Sequence, residues 1–328
     1  MASDLASDVA GTTGRPLRLS VVIAAPGGGR APDECLAALA GQAAEIQECI
    51  VVGGGELQEP IVPRALACRW MEAGRDALVP QLWQQGIEAA SGDLVAITTS
   101  QFVPARDWAA ALRSAFLDPN VAGAGGRIDP PEGGSMSAWA AYFLRYSSYA
   151  TLEAAREVGD IAGDNACYRA AELRRHRAVT AEGFWEPDFH RAARGAGGVL
   201  WFDPRIRVRQ VGDIGLWSFA AQRVHHGRQF GRSRAADWSA AQRALRVLAS
   251  PLIPVVFFAK IAGRVLRVRG NRFRFVASLP ALVILLLGWS LGEVQGYLGW
   301  SERGRRRGEP GSEETLRCAQ GDKRARSG

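Results

Sequence analysis

The 328-residue sequence lacks several familiar patterns, and each absence argues against a class of protein. Its five cysteines form no Cys-x-x-Cys pair and follow no regular spacing, which argues against a zinc site or a disulfide framework and fits a reducing cytosol. Residues 1–18 contain no apolar run, so no signal peptide is expected there. No Gly-x-Gly-x-x-Gly fingerprint opens the first predicted helix and there is no P-loop, so the indication of a phosphate cradle is weak.

Composition and charge set broad limits on fold and partners. A hydrophobic fraction of 47% is enough for a sizeable core, and the length predicts two domains or one large domain with an appendage. A net charge of +7 favours an acidic partner, namely a phosphate, a nucleotide or an anionic membrane. The alternative is that an arginine-rich composition makes the protein basic without such a partner. No nucleic-acid recognition module is visible, so no nucleic-acid partner is expected.

Strands and helices alternate along the first half of the chain. Apolar runs bounded by turn residues predict strands, and apolar stripes at helical spacing predict helices. The predicted strands are residues 19–25, 48–52, 94–98 and 121–128, and the predicted helices are residues 33–42, 79–90 and 108–117. This alternation predicts an α/β fold in which helices flank a mostly parallel sheet.

The second half is less regular. We predict helices at 137–152 and 216–234, a strand-to-helix corner at 163–173, a turn and helix at 183–194, and strands at 199–202 and 206–211. Five aromatic residues of the 137–152 helix recur near helical spacing, and we interpret them as core rather than as a sugar platform; they are Trp139, Tyr142, Phe143, Tyr146 and Tyr149.

The stretch around which the chain is organised is residues 92–104, GDLVAITTSQFVP. Its apolar run predicts a buried central strand that ends in small polar residues, Thr99, Ser100 and Gln101. Ligands of open α/β sheets bind just beyond the carboxyl ends of the strands. These three residues should therefore lie at the mouth of a site, although none of them is charged.

Two long apolar stretches, residues 245–266 and 275–298, mark the C-terminal third. Residues 275–292 are about long enough to cross a bilayer, whereas residues 248–259 contain two prolines and fit an interfacial helix better. Five arginines at positions 264–274 lie at the end of the first stretch and ahead of the second. If both stretches crossed the membrane, or the second alone, a cluster of arginines would be exported, against the positive-inside rule. We therefore expect association with the cytoplasmic face of the membrane, either peripheral or with one or two helices inserted. The alternative is a soluble protein whose apolar helices pack on the rest of the chain or form an oligomer.

The order and spacing of these segments resemble the family 2 glycosyltransferases, which have the A-type nucleotide-sugar fold (Rossmann-like). The resemblance covers about residues 18–234. The segments that carry it are LSVVIAAPGGG, ECIVVGGG, QQGIEAASGDLVAITTSQFVP, GDNACYR, GFWEPDFHRAARGAGGVLWFDP and RVHHGRQFGR.

The resemblance implies donor-binding positions on several segments. Ala25 and Pro26 would lie against the nucleotide base, and Gly53 stands where the family has an aspartate. Counting back from Pro104, Thr99 and Gln101 occupy the positions of the metal-binding Asp-x-Asp. The basic segment would place Arg223, His226 and Arg228 over the diphosphate, and the corner would place Asp164 and Asn165 beside the acceptor.

The departures from the family concern the carboxylates. Magnesium or manganese would accompany the nucleotide sugar in the family, but Thr99 and Gln101 offer only neutral oxygens, so a metal held there would be weak. Either the basic helix takes over the stabilisation of the diphosphate, or catalysis is lost and only binding remains. The glycine runs at 27–29 and 53–55 could admit a nucleotide closely, or they are flexible turns.

Three residues of the GFWEPDFHRAAR segment could supply a general base, namely Glu186, Asp188 and His190. We predict Asp188 as the base, with Glu186 and His190 orienting it or binding the acceptor. The alternative for Glu186 is a cap at the helix N-terminus, where carboxylates are favoured.

These expectations define four segments and two hypotheses. The segments are a disordered tail at 1–18, a glycosyltransferase-like domain at 19–234, a membrane-associated helical region at 235–300 and a disordered basic tail at 301–328. The first hypothesis is an inverting, membrane-associated glycosyltransferase that moves a sugar from a nucleotide-sugar donor to a lipid-linked or polysaccharide acceptor. The second is a non-catalytic relative that acts as a scaffold in a membrane polysaccharide complex. A nucleotidyltransferase is a third, weaker interpretation.

Overall fold

The computed structural model describes residues 15–26, 32–54, 60–75, 77–235, 238–268 and 270–299. Within them, the strands are β1 Leu19–Ala25, β2 Glu48–Gly54, β3 Cys68–Ala73, β4 Leu94–Thr99, β5 Phe102–Pro104, β6 Val121–Asp129, β7 Arg156–Glu157, β8 Ala166–Arg169 and β9 Val199–Gln210. The α-helices are α1 Asp33–Ala40, α2 Val79–Ala89, α3 Trp108–Ala115, α4 Met136–Tyr146, α5 Ala170–Arg175, α6 Glu186–Gly195, α7 Leu216–Ala235, α8 Ala240–Ala249, α9 Leu252–Val265 and α10 Arg272–Tyr297. Residues 1–14 of the predicted tail at 1–18, the predicted tail at 301–328 and the glycine run at 27–29 lie outside the described residues, as does Gly55.

All of these strands belong to one sheet with the order β3-β2-β1-β4-β8-β6-β9-β5, and β7 pairs with β9. The neighbours β3, β2, β1 and β4 run parallel, as the alternation of strands and helices predicts. Antiparallel pairs begin at β8, which lies between β4 and β6, and the parallel pair of β6 and β9 follows. The predicted α/β class is therefore confirmed, with the parallel order concentrated in the first half of the sheet.

The central strands are buried on both faces, which explains their continuous apolar runs. Every residue of β1 and β4 is buried, and so are all but the first residue of β2. The strand β3 is an edge strand of only partly buried and exposed residues, so it carries no such run and the sequence does not predict it. The two strands predicted at 199–202 and 206–211 form the single strand β9, whose register with β6 is interrupted between them.

Contacts divide the chain into two compact units. The first consists of Met1–Leu216 with Ala259–Leu282, and the second consists of Trp217–Phe258 with Val283–Gly328. From Trp217 onwards, α7 therefore groups with α8, the first half of α9 and the later part of α10, whereas the predicted boundary at residue 234 places α7 with the sheet. In the first unit, Phe275 of α10 packs edge-on against Phe143 of α4, with ring centroids 5.3 Å apart.

Within the second unit, glycines on α7 and α10 allow these two helices to pack closely against each other. A Cβ on Gly292 of α10 would lie 2.8 Å from the carbonyl carbon of Val224, and one on Gly296 would lie 2.8 Å from the amide nitrogen of Arg232. On α7, a Cβ on Gly227 would lie 3.0 Å from the amide nitrogen of Glu293. Glycines spaced by four residues let two helix backbones approach closely, as is common in membrane helix pairs. This packing joins α7 to α10.

The C-terminal apolar stretches are helical, as predicted. The 26 residues of α10 are long and apolar enough to cross a membrane, with a mean hydropathy of 2.1 over the best window. The stretch predicted at 245–266 is broken into α8 and α9, which are bent by 57° and together would also pass the same test. The break falls at Pro251, because proline lacks the amide that continues a helix.

Candidate functional site

A short turn is tied to the carboxyl end of the central strand β4. The hydroxyl of Thr98 donates to the backbone oxygen of Asp164 at 2.8 Å, and Asp164 lies in the 3-10 turn Gly163–Asn165. The next two side chains of the strand end are also buried, and neither the Thr99 hydroxyl nor the Ser100 hydroxyl has a hydrogen-bond partner in the described part of the chain. Buried hydroxyls are usually paired, so this strand end is a candidate for ligand contact.

The same turn brings the first residue of α6 to this end of the sheet. A Cβ on Gly163 would lie 2.8 Å from the carboxyl carbon of Glu186, so the absence of a side chain at 163 lets the carboxyl group lie over the turn. Glu186 is partly buried there. The end of β4 and the start of α6 therefore meet around one turn, as the predicted site requires.

Charged side chains from distant segments surround Glu186. The Asp164 carboxylate accepts hydrogen bonds from the Arg145 guanidinium and from the Tyr146 hydroxyl, the latter at 2.8 Å. Burial raises the pKa of Glu186 to about 7, its own backbone amide and Arg145 oppose that rise, and the charges of Asp164 and Asp160 add to it. A carboxyl group with a pKa close to neutrality can take up and release a proton under ordinary conditions.

A second series of hydrogen-bonded side chains lies beside this carboxyl group. The buried His190 ring contacts the Tyr168 hydroxyl at 2.8 Å through Nε2 and the Asp160 carboxylate through Nδ1. Asp160 also accepts a hydrogen bond from Tyr149 at 3.4 Å. Burial raises the pKa values of Tyr149 and Tyr168. The side chains of His190 and Tyr149 therefore hold Asp160 in place from two sides.

The structure separates the three residues that the sequence analysis groups as candidate bases. Residues two apart on an α-helix point about 200° apart, whereas residues four apart share a face. Glu186 and His190 accordingly both take part in the buried cluster, since each interacts with Asp160. Asp188 instead pairs with Arg191 of the same helix at 3.0 Å, and a third of its side chain is exposed.

The two predicted acceptor-binding residues, Asn165 and Asp164, differ in how far their hydrogen-bonding atoms are used within the protein. The Asn165 side chain accepts from the Trp108 indole at 2.8 Å and donates to the backbone oxygens of Arg127 and Ile206, each at 3.0 Å. Both amide hydrogens of Asn165 are thus used within the protein, which indicates a structural role for this side chain. In contrast, the Oδ1 atom of Asp164 is buried and has no hydrogen-bond partner in the described residues.

The predicted donor residues of the first two strands lie side by side. Ala25 and Gly53 are register partners at the carboxyl ends of β1 and β2, and both are buried. Pro26 follows directly on β1. The space beside Gly53 is filled by the indole of Trp70, with the ring carbon Cζ3 2.8 Å from the position of a Cβ. Gln101 follows β4, and its backbone oxygen accepts from the amide of Val211 at 2.8 Å.

A groove of about 550 Å³ opens at the carboxyl end of β3 and along α2. Polar side chains line much of it, including Arg75, Gln81 and Gln84. Gln84 is buried, and its Oε1 atom has no hydrogen-bond partner in the described residues. The groove reaches Gly183, three residues before Glu186, and its volume is in the range of small-molecule sites.

The basic residues of α7 are engaged within the second unit. The Arg223 guanidinium lies over the rings of Phe219 and Trp289, at 4.9 and 5.6 Å from their centroids, and contacts His226 Nδ1 at 2.6 Å. Arg228 donates to the Gln295 side chain of α10 at 2.8 and 3.0 Å. The proposed contact of these three residues with a diphosphate stays a prediction.

The side chains at the expected metal position do not form a set that suits Mg²⁺ or Mn²⁺. Thr99 and Gln101 supply neutral oxygens, whereas these ions prefer carboxylates together with substrate phosphates. No group of three His, Cys, Asp or Glu side chains is placed to hold a metal ion among the described residues. The nearby Asp164 carboxylate is already paired with Arg145.

Several residues of this cluster are not predicted from the sequence. Arg145 and Tyr146 lie on a helix whose aromatic pattern indicates core, and Asp160 lies in an irregular segment with no periodic pattern. Only their convergence on Glu186 and Asp164 reveals them.

No family model matches the chain, and no curated protein matches it significantly. Among solved structures, it is similar to the mannosyltransferase PcManGT from Pyrobaculum calidifontis in complex with GDP-Man and Mn²⁺, at 17% identity and a TM-score of 0.42, over 94% of this chain and 80% of that one. It is also similar to GalNAc-T7 with UDP, GalNAc and Mn²⁺, at 14% identity and a TM-score of 0.42, over 61% of this chain and 45% of that one. Glycosyltransferases, the family that the sequence resembles, are thus among the structures to which this chain is similar.

Proposed function

We propose that this protein is a glycosyltransferase that moves a sugar from a nucleotide-sugar donor to an acceptor hydroxyl, with Glu186 as the general base. The observation that carries the proposal is the position of the Glu186 carboxyl group over the turn at the end of β4, where burial raises its pKa to about 7. The resemblance of the segments around β1, β4 and α6 to family 2 glycosyltransferases supplies the reaction class.

The chemistry that we assign to this site is a single displacement with inversion. The acceptor hydroxyl gives its proton to Glu186 while its oxygen forms a bond to the anomeric carbon of the donor sugar. The bond from that carbon to the diphosphate breaks, and the electron pair leaves with the nucleoside diphosphate. We assign the base to Glu186 rather than to Asp188, because Asp188 is paired with Arg191 and a third of its side chain is exposed.

Donor binding is the step that tests the proposal most directly. Titration calorimetry of the full chain with a panel of UDP-, GDP- and TDP-sugars should find at least one donor that binds, and that donor should then release its nucleoside diphosphate in the presence of acceptor. Binding of no donor would refute the proposal and favour the second candidate. That candidate is a non-catalytic scaffold, favoured by Gly53, Thr99 and Gln101 at positions where the family has aspartates.

We further propose that the protein acts at the cytoplasmic face of the membrane on a lipid-linked or polysaccharide acceptor. Exposed apolar side chains on α8 and α9 support this, among them Leu248, Leu252 and Val255 at 79%, 63% and 62% exposure. Basic side chains on the same helices, such as Arg246 and Arg264, suit an anionic lipid surface.

Vesicle flotation tests the membrane proposal. The full chain should float with vesicles that contain phosphatidylglycerol, and should float less with vesicles of phosphatidylcholine alone. The double variant Leu248→Glu with Leu252→Glu should float less than the wild type with the anionic vesicles. A wild-type protein that stays soluble and monomeric without detergent and binds neither vesicle would refute the proposal.

A further inference from the structure

The acidic cluster at the end of β4 contains its own cation. The Arg145 guanidinium donates to the Asp164 carboxylate, which is almost wholly buried, while about a quarter of the Arg145 side chain is exposed. The Arg145 charge also acts on Glu186 and favours its ionised form. A fixed positive charge therefore already stands among the carboxylates that could otherwise attract a metal ion.

Each of these carboxyl groups is either paired with another side chain or partly protonated, and both conditions make it a poor metal ligand. Asp164 is paired with Arg145, and Asp160 is held by His190 and Tyr149. Glu186 is partly protonated near neutral pH, since burial raises its pKa to about 7. A divalent cation here would meet repulsion from Arg145. It would also lower the pKa of Glu186, which would weaken Glu186 as a base near neutral pH.

The strand end supplies hydrogen-bonding groups of a different kind. Thr99 and Ser100 are only 4% and 1% exposed. Neither of their hydroxyls has a hydrogen-bond partner in the described part of the chain. A buried hydroxyl without a partner costs free energy, which a ligand oxygen can recover by accepting its hydrogen bond. Thr99 stands at the first position of the family's metal-binding Asp-x-Asp, and Ser100 stands at the middle position between the two aspartates.

We infer that this protein binds its nucleotide-sugar donor without a divalent metal, using the hydroxyls of Thr99 and Ser100 as neutral ligands and Arg145 as the fixed cation of the site. The inference rests on the proposed function, because it concerns the donor of that same reaction. It sets this chain apart from enzymes in which an ion bridges the protein and the diphosphate.

Calorimetry in two buffers tests the inference. The full chain is titrated with each donor of the UDP-, GDP- and TDP-sugar panel, once after removal of metals with EDTA and once with excess Mn²⁺. The dissociation constant of the best donor should differ by less than about threefold between the two buffers. A larger loss of affinity in EDTA would overturn the inference and leave the proposed function standing. Binding of no donor in either buffer would overturn both.

A pair of matched variants tests the role of the hydroxyls. Thr99→Val keeps the shape of the side chain and removes its hydroxyl, so donor affinity should fall by about tenfold in both buffers. The control is Thr151→Val, at an exposed threonine whose hydroxyl donates to the backbone oxygen of Ser148, and it should leave affinity unchanged. Equal affinities of the wild type and Thr99→Val would overturn the assignment of the Thr99 hydroxyl as a ligand.

Discussion

Replacement of Glu186 by glutamine should have opposite effects on activity and on stability. Glutamine keeps the shape of the side chain but cannot accept the acceptor's proton, and a general base contributes about 10²–10⁴-fold to a rate. Release of nucleoside diphosphate from the donor that binds should therefore fall by at least about 100-fold in Glu186→Gln, while donor affinity stays unchanged.

The pH dependence of the wild type follows from the same carboxyl group. With a pKa of about 7 in the folded protein, Glu186 is mostly protonated at about pH 6 and mostly ionised at about pH 8. Since the base must be ionised, kcat/KM should rise about tenfold between these pH values. An ordinary glutamate, with its pKa near 4.5, would already be fully ionised and would show no such rise.

Stability should change in the opposite direction. The pKa of Glu186 is higher in the folded chain than its ordinary value of 4.5, so between 4.5 and about 7 the folded state binds more protons than the unfolded state. The free energy of unfolding therefore decreases as pH rises through this window. Full burial would make the loss about 3 kcal/mol, and the partial exposure of Glu186 reduces it to about 1–2 kcal/mol. Glu186→Gln should recover that amount above about pH 7 and nothing below about pH 4.5.

Denaturant unfolding of wild type and variant at the two ends of this pH range measures the stability effect, and the donor-turnover assay measures the rate. A wild-type kcat/KM that is flat between about pH 6 and about pH 8 would refute the assignment of the raised pKa to the base. So would a Glu186→Gln variant that retains full transfer activity.

Three further substitutions separate positioning, catalysis and packing. Gly163→Ala should lower turnover by about tenfold or more with little loss of stability, because the three atoms nearest to the new methyl group all belong to the flexible side chain of Glu186. Asp188→Asn should change turnover by less than about threefold, since Asp188 pairs with an arginine on its own helix. Gly292→Ala should lower the free energy of unfolding by about 2 kcal/mol or more, because its Cβ meets helix backbone, whereas Gly263→Ala, with nothing within 4 Å, should be neutral or stabilising.

Each of these substitutions has a matched control or an outcome that would contradict its assigned role. Gly159→Ala matches Gly163→Ala, since the nearest atom to its Cβ is the end of the Arg194 side chain at 3.6 Å, and it should leave turnover unchanged. A loss of activity in Asp188→Asn as large as that in Glu186→Gln would return the role of base to Asp188. Thermal unfolding measures the melting temperatures of Gly292→Ala and of its control, Gly263→Ala. Equal melting temperatures of the two variants would contradict the close packing of α7 and α10.

Much of the architecture follows from local sequence patterns. Continuous apolar runs predict β1, β2 and β4 because strands buried on both faces need apolar residues at every position. The starts of α2 and α3 are predicted at residues 79 and 108, where the structure places them. The edge strand β3 is not predictable in this way, because only part of its surface is buried.

The site is only partly predictable from the same patterns. The polar end of β4 and the acidic start of α6 are visible in the sequence, and the structure brings them together around the turn Gly163–Asn165. The choice between Glu186 and Asp188 is not visible, because it depends on which face of α6 is turned towards β8 and the turn. Arg145 and Asp160 join the cluster from separate segments, and no local pattern marks them.

By itself, the sequence determined the alternation of strands and helices in the first half, the uncharged end of the central strand and the apolar character of the C-terminal helices, because these properties depend on composition and short-range spacing. Only the tertiary structure decided which carboxyl group of α6 joins the cluster, what raises its pKa and which cation neutralises its neighbour. It also decided that α7 packs with α10 through facing glycines. Those properties depend on contacts between residues far apart in the chain, and burial, charge and close approach are properties of such contacts.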